Sequence, residues 1–304
     1  MTAEPATPVA RNPFWPAFAA LVIGACAMGV SPILVRLADV GPFASAFYRV
    51  FMALPVLYAW MRIEEARAVG GPDRRSLFSP VIVLTAVIFA LDLFFWHLAI
   101  LNTTVANATF FATTAPIWVI VFGWVLFRRR ASMASLLGLA LCMIGGAALI
   151  GHSFAVAPER LVGDALAAIT AVFFGAYFLV VERSRQYYRA ARATFGMSVL
   201  CAGILLVVAI GASLMLGHRF FPSTWEGLAV LVALGIISHA GGQGLLAVAL
   251  GSLPATFSSL VIFMETLAAA LAGWLVLSEA VTPMQALGGL IILAGIYIAR
   301  PKTT

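Results

Sequence analysis

Two carboxylic acids lie inside long apolar runs of the chain. Asp92 stands in "VIFALDLFFWHLAI" and Glu265 in "LVIFMETLAAALAG". An unpaired charge near the centre of a bilayer costs roughly 2.5–3.5 kcal/mol on insertion scales, so each acid is expected to face a wet cavity or a partner group. Either acid could bind an ammonium group or carry a proton, and either could instead pair with a neighbouring helix for assembly. The residues alone leave both roles open.

A histidine and an amide stand one helical turn apart in another apolar run. His239 precedes the glycine-rich stretch "AGGQG" (240–244), and Gln243 lies within it. Those glycines either let a second helix approach closely or let the backbone unwind at a binding site. Close packing is the more frequent reason for such glycines, so His239 and Gln243 are candidates for polar binding groups with a structural alternative.

Polar and aromatic side chains also recur at helical spacing in two further runs. Their hydroxyl and amide groups could bind a ligand or bridge helices at about 1 kcal/mol each, and their rings could stack on a ligand or simply pack. The stripes consist of Thr103, Asn107, Phe110, Phe111, Thr114 and Trp118, and of Thr170, Phe174 and Tyr177.

One arginine, Arg49, falls within an apolar run. Its long stem can carry the charge back to the membrane interface, and we favour this interpretation over the binding of a carboxylate. No histidine or acid spacing typical of a metal site is found, and no nucleophile motif, so neither a cofactor nor an embedded enzyme is expected.

The composition explains what must position these residues. Of the 304 residues, 63% are hydrophobic and only 10% are charged, with a mean hydropathy of +1.05, whereas soluble domains carry about 25% charge. A run of about 20 apolar residues spans a hydrocarbon core of about 30 Å. The chain predicts ten such spans, at 16–38, 43–61, 80–101, 105–127, 132–151, 161–182, 195–216, 225–249, 254–277 and 283–299.

The second half of the chain repeats the first. "GWVLFRRRASMASLLGLALCMIGG" (123–146) returns 150 residues later as "GWLVLSEAVTPMQALGGLIILAGI" (273–296), with the arginines replaced. Each repeat has five spans, an odd number, so the second copy is expected to run in the opposite direction through the membrane. The chain therefore predicts an all-α integral membrane protein with ten transmembrane helices in two inverted five-helix repeats, a pattern typical of alternating-access transporters. The expected units are a tail (1–15), the first repeat (16–151), a connecting loop (152–160) and the second repeat (161–300).

Basic residues predict the orientation. Fourteen of the 18 Lys and Arg residues fall on the side of the N-terminus and three on the other, and the cytoplasmic side is normally the basic one. Both termini are therefore expected in the cytoplasm of a protein in the plasma (inner) membrane. The arginines at helix ends form no single patch, so a nucleic-acid partner is not expected.

The runs "HLAILNTTVANATFFATTAPIWVIVFGWVLF" (97–127) and "LLAVALGSLPATFSSLVIFMETLAAALAGWLVLSE" (245–279), with Arg49 in "FYRVFMALP", resemble the EamA-type transporters of the drug/metabolite transporter superfamily. The chain looks most like the YddG-type amino-acid exporters of that superfamily. It departs from the family in the arginines that end the fourth span and in Glu265. The resemblance implies export of small organic molecules through a cavity lined mainly by helices 1, 3, 4, 6, 8 and 9, with helices 5 and 10 as scaffold.

These observations together predict an exporter of a small metabolite, specifically an aromatic or other neutral amino acid, with the proton as a candidate coupling ion and lipid around the protein. The expected binding residues are Asp92, Trp96, Asn107, Phe111, Thr114, Trp118, Phe174, Tyr177, His239, Gln243 and Glu265. The alternatives are a proton-coupled exporter of cationic drugs and, less favoured, a membrane-embedded enzyme. Strongly anionic substrates are not expected, because Arg49 alone supplies a positive charge within a span.

Overall fold

The computed structural model describes residues 14–68, 75–150, 158–277 and 282–301, and these residues form ten helices. The helices are α1 (Phe14–Gly29 and Ser31–Leu37), α2 (Pro42–Phe51 and Leu54–Ala66), α3 (Pro80–Asn102), α4 (Val105–Thr113 and Ala115–Phe127), α5 (Met133–Ile150), α6 (Leu161–Ser184), α7 (Ala190–Leu216), α8 (Trp225–Ala249), α9 (Ala255–Val261 and Met264–Leu277) and α10 (Pro283–Ile298). Most of the predicted tail and of the predicted connecting loop lies outside the described residues.

The helices have the length and composition of membrane spans. Seven are long and apolar enough to cross a bilayer, and three shorter apolar helices complete the described bundle. Large apolar side chains cover its periphery, as Leu214 and Met215 show by being 81% and 85% exposed. Such a surface suits lipid rather than water, so the predicted all-helical membrane fold is confirmed.

Several helices are interrupted near their middle. The interruptions in α1, α2 and α4 each come just before a proline, namely Pro32, Pro55 and Pro116. Proline lacks a backbone donor and its ring clashes with the preceding turn. The interruption in α9, at 262–263, has no proline, yet it lies close to the position that repeats the interruption of α4 at Thr114. The break has therefore persisted in both repeats.

Helix α8 contains a π-helical segment, Leu234–Gln243. Such segments are rare in proteins, and those that occur are often found at functional sites. The wider turn redirects side chains and leaves backbone groups weakly bonded. This segment carries both His239 and Gln243. The repeat-equivalent stretch of α3 is regular α-helix, so the two repeats differ here.

Helices α5 and α10 show that the repeats are inverted. A Cβ placed on Gly138 would lie 2.7 Å from the carbonyl oxygen of Gly295, and one placed on Gly145 would lie 2.6 Å from that of Gly288. Because Gly288 and Gly295 are the repeat equivalents of Gly138 and Gly145, the two helices are antiparallel and related by a local twofold axis. Cys142, midway between the two glycines, donates to the carbonyl of its own equivalent, Ile292, at 3.7 Å.

The first helices of the two repeats are related by the same twofold axis. Gly29 of α1 approaches the carbonyl oxygen of Glu265, whereas Gly175 of α6 approaches that of Ala115, and a Cβ on either glycine would lie 2.8 Å from the oxygen. Glu265 and Ala115 are 150 residues apart and hence equivalent. Gly29 and Gly175 are therefore equivalent as well, with a spacing of 146 residues in this part of the repeat.

Two helices extend more than one turn beyond their predicted ends. Helix α2 continues to Ala66 rather than residue 61, and α7 begins at Ala190 rather than residue 195. Charged side chains lie in these extra turns, and a hydropathy pattern counts them as loop. They are paired with one another instead, since Arg192 forms a salt bridge with Glu65 and the Glu64 carboxylate accepts the Ala191 amide at 3.1 Å.

Asp39, in the connection between α1 and α2, holds the start of α8. Its Oδ2 accepts the hydroxyl and amide of Ser223 at 2.7 and 2.8 Å and the amide of Thr224, the N-cap of α8, at 3.1 Å. These hydrogen bonds, above all those from Ser223, hold the pKa of Asp39 below its usual range. The ionised form is therefore the one that the folded connection stabilises.

Substitution of Gly145 by alanine should lower the melting temperature by several degrees in detergent. The new methyl group would contact the Gly288 backbone, which cannot move aside, and overpacking typically costs about 1–3 kcal/mol. Gly203→Ala in α7 is the matched control, because a Cβ there meets nothing within 4 Å and alanine favours helix. Equal melting temperatures for the two variants, measured by size-exclusion after heating, would contradict the close packing.

Asp39→Asn should reduce thermal stability near neutral pH, and the difference from the native chain should shrink on acidification. A group with a depressed folded pKa stabilises the fold above its unfolded pKa, about 4, and this stabilisation is lost as pH falls through the folded pKa. Melting temperatures at several pH values check this. The exposed Glu159→Gln serves as control, and a pH-independent difference would show that the charge of Asp39 is irrelevant.

Candidate functional site

A small cavity lies between the two repeats. Its volume is about 40 Å³, and side chains from seven helices form its wall. These are Met28, Ser31, Arg49, Asp92, Leu93, Trp96, Ala112, Thr170, Phe174, Gln243 and Glu265. All six helices that were expected to line a cavity contribute, α2 adds Arg49, and α5 and α10 contribute none.

The cavity lies on the local twofold axis. Met28 of α1 and Phe174 of α6 are repeat equivalents at the 146-residue spacing, and Leu93 of α3 and Gln243 of α8 are equivalents at the 150-residue spacing. Both members of each pair line the cavity. A site on this axis is related in the same way to both faces of the membrane, as alternating access requires.

Three ionisable side chains converge on the cavity, and they break its symmetry. Asp92 and Glu265 both line it, as the sequence led us to expect of acids within spans. Their repeat equivalents are Gly242 and Ala115, which are small and uncharged. The scaffold is therefore symmetric while the charges are not.

The third ionisable side chain is Arg49, and the expectation that it reaches the membrane interface is wrong. It is 5% exposed and lines the cavity, with its guanidinium carbon 5.2 Å from the centroid of the Trp96 ring. Arg49 lies seven residues inside α2, about 10 Å along the axis, and the inward face of the helix directs it to Asp92 and Glu265. The presence of two buried acids without a counter-ion was the sequence signal for this placement.

Several polar atoms in the wall have no hydrogen-bond partner among the described residues. They are Arg49 Nε, Ser31 Oγ and Gln243 Oε1, all buried. Buried polar groups are satisfied in the great majority of cases, and an exception needs an explanation such as a bound ligand or water. These three atoms border one cavity, which makes it the candidate binding site.

An aromatic layer lies behind the cavity. The Tyr177 ring packs at 6.3 Å from Phe174 and at 4.7 Å from Phe89, which in turn lies 5.5 Å from the His239 ring. His239 Nε2 is 2.8 Å from the Ser198 hydroxyl and is fully buried. The structure thus places Tyr177 and His239 one layer behind the wall, where they support Phe174 and link α8 to α7.

Asn107 lies at the end of the bundle opposite the chain termini and bridges two helices. Its amide donates to the Asp164 carboxylate of α6 at 3.0 Å, and Thr103 donates to the same carboxylate at 2.6 Å. The repeat equivalents of Asp164 and Asn107 at the other end are Phe18 and Phe257, whose rings stack at 6.0 Å. The contact between α4 and α6 is therefore polar, whereas the equivalent contact between α9 and α1 is aromatic.

The remaining expected residues of α4 lie outside the wall of the cavity. Thr114 donates to the Phe111 carbonyl within its own helix at 2.6 Å, at the interruption. Phe111 packs edge-on against Phe110, with ring centroids 5.9 Å apart, and the Trp118 ring lies 5.8 Å from Phe122. Trp118 also packs against Gly175 of α6. As for metals, the described residues contain no cluster of three His, Cys, Asp or Glu that could hold one.

Two inverted five-helix repeats with a charged cavity on their common axis define the class of the protein as a membrane transporter. The chain belongs to the EamA-like transporter family, whose sequence profile matches residues 15–151 and again residues 161–300. The expectation of a transporter rather than an enzyme is thereby confirmed, and so is the resemblance at the level of the family.

Two relatives agree with this assignment, and a solved structure shares the fold. One uncharacterized transporter of Archaeoglobus fulgidus is 25% identical over 89% of this chain and 91% of its own length, and a second from the same organism is 26% identical over 92% and 95%. A solved crystal structure with 20% identity superposes with a TM-score of 0.74, covering 94% of this chain and 95% of its own, and so shares the fold.

The structure predicts that Asn107 and Asp164 act as one structural unit. Asn107→Ala and Asp164→Ala should each lower the melting temperature, and the double variant should lose much less than the sum, because residues in one hydrogen-bond network couple by about 0.5–3 kcal/mol. Additive losses would show that the bridge is absent in solution. If the apparent KM of Asn107→Ala rises while its stability is unchanged, Asn107 binds substrate instead.

Proposed function

We propose that this transporter exports neutral amino acids, aromatic ones included, by alternating access, with both termini in the cytoplasm. The observation that carries the proposal is the cavity on the twofold axis, in which acidic groups, a basic group and aromatic rings meet within one wall. Asp92 and Glu265 supply anionic groups for a substrate ammonium, Gln243 supplies an amide, and Trp96 and Phe174 supply apolar surface.

The size of the cavity supports an alternating mechanism. A volume of about 40 Å³ holds a few waters at most, whereas sites for small molecules measure about 300–1,000 Å³. The described conformation is too closed for an amino acid, so binding requires the lining helices to separate. The interrupted helices α1, α4 and α9 supply bending points at the level of the cavity.

The other expected residues have supporting roles in this proposal. Tyr177 and His239 hold the aromatic wall, and Thr114, Phe111 and Trp118 lie along α4, where they can reach a substrate when the cavity opens. Asn107 bridges α4 and α6 at the end of the bundle opposite the termini. The cytoplasmic orientation rests on the excess of arginine at that end of the bundle, with Arg129, Arg183 and Arg192 among them.

Two acids also suit a second function, the exchange of protons for cationic drugs. A protonatable carboxyl that binds either a proton or a cation couples the two fluxes. Arg49 in the same wall opposes a substrate with only positive charge, because like charges in a poorly hydrated site repel strongly. Amino-acid export is therefore the proposal that we favour.

Flux into liposomes containing the purified protein tests the proposal. Radiolabelled phenylalanine should enter saturably, other neutral amino acids should compete, and lysine should be a poor substrate because of Arg49. Repeating the assay with an imposed proton gradient shows whether the proton is the coupling ion. Protein that remains folded but moves no amino acid, while it moves a cationic dye, would favour the drug exporter.

Asp92→Asn and Glu265→Gln preserve size and remove the charge. Phenylalanine flux at low substrate concentration should fall by about tenfold or more in each variant, because hydrogen bonds to charged groups contribute about 1.5–3 kcal/mol. Glu159→Gln, which is exposed outside the cavity, should transport like the native protein. Unchanged flux in both cavity variants would remove these acids from the site.

A further inference from the structure

Arg49 is the one cationic side chain in the wall of the cavity, and its surroundings leave it without a salt bridge. No described carboxylate oxygen lies within 4.0 Å of its nitrogens. The salt bridges among the described residues are those of Arg129 with Glu182 and of Arg192 with Glu65. Its Nε has no hydrogen-bond partner among the described residues. A buried charge left in this state is costly unless something else compensates it.

The group that would compensate Arg49 must be an anion that fits the cavity. A guanidinium presents donors in a planar fork that matches a carboxylate with two parallel hydrogen bonds. Trp96 covers one face of the guanidinium, so the donors at its edge remain to point into the cavity. A ligand in the cavity can meet that edge.

The opposite charge in the same wall restricts the ligand further. Asp92 and Glu265 line the cavity together with Arg49, so a simple anion would meet two acids and a simple cation would meet the guanidinium. A molecule with an ammonium and a carboxylate on neighbouring atoms matches both. We propose that Arg49 binds the carboxylate of the substrate, opposite the acids that take its ammonium, so that the carrier selects zwitterions.

This proposal rests on the proposed amino-acid transport and makes Arg49 its specificity-determining residue. The alternative is that Arg49 only balances the charge of Asp92 and Glu265 and never touches the substrate. Under that alternative the carrier would accept a primary amine as readily as the related amino acid. The two cases therefore differ in what the native protein recognises.

Competition by close analogues of phenylalanine distinguishes them. Labelled phenylalanine flux through the native protein is measured against unlabelled phenylalanine, phenylalaninamide, which lacks the carboxylate, and 3-phenylpropionate, which lacks the ammonium. The proposal requires phenylalanine to compete roughly ten- to a hundredfold better than either analogue, the range expected for loss of a charged hydrogen bond. Equal competition by phenylalaninamide would overturn it without a single substitution.

Substitutions then assign the effect to Arg49. Arg49→Gln should weaken competition by phenylalanine roughly ten- to a hundredfold and leave that by phenylalaninamide little changed, so that the discrimination disappears. Arg49→Lys, which keeps the charge and loses the fork, should recover part of it. Arg219→Gln, an exposed arginine in the connection before α8, is the control and should discriminate like the native protein.

The outcomes distinguish a failure of the proposed amino-acid transport from a failure of the proposed role of Arg49. No saturable flux of any amino acid would refute the amino-acid exporter and this proposal together. Saturable phenylalanine flux with discrimination that survives in folded Arg49→Gln would refute the role of Arg49 alone. If Arg49→Gln does not fold, the analogue competition in the native protein still decides whether the carboxylate is read.

Discussion

The contact between α5 and α10 is the constraint on which the rest of the structure depends. Within a membrane, helices gain little from burying apolar surface, and close packing at small residues has to hold them together. At Gly138 and Gly145 the two backbones approach so closely that no side chain fits between them. The contact is made twice with the partners exchanged, so it also defines the local twofold axis. Every other pair of equivalent helices has to satisfy that axis.

The axis accounts for a symmetric scaffold, whereas the charged and polar side chains of the candidate site differ between the two repeats. Asp92 and Glu265 have Gly242 and Ala115 as their repeat equivalents. At the position equivalent to the polar bridge between Asp164 and Asn107, two phenylalanines stack instead. A twofold-related pair of identical charges would repel across so small a cavity. The single Arg49 lies in the same wall as both acids and offsets part of their charge, which leaves opposite charges in one wall. The backbone symmetry can then serve the conformational change while the side chains serve recognition.

The contrast between scaffold and chemistry also explains what the sequence could predict. The ten spans, the inversion and the placement of both acids follow from hydropathy, from an odd number of spans in each repeat and from the cost of a charge in lipid. Arg49 was misassigned because depth along a helix says nothing about which face the residue occupies. His239 and Asn107 were expected to bind a ligand, and the structure shows each bonded to a neighbouring helix through a partner, Ser198 or Asp164, that is distant in sequence. Such pairings depend on helix rotation, which a single sequence does not reveal.

The distribution of interruptions among the helices connects this architecture to movement. Helices α1, α4 and α9 are broken near the level of the cavity, and α8 is π-helical there. A segment that lacks regular backbone hydrogen bonds bends more readily than a continuous helix. By contrast α5 and α10 are continuous, contact each other along their glycines and contribute nothing to the cavity wall. Enlarging a 40 Å³ cavity to admit a solute therefore costs least if the broken helices bend away while α5 and α10 stay together. Glu265 moves with a broken helix, because it lies three residues beyond the start of the α9 interruption, whereas Asp92 lies on α3, which is continuous. Opening the cavity would then change the distance between Glu265 and Asp92, so the arrangement of charges in the wall depends on how far the cavity has opened.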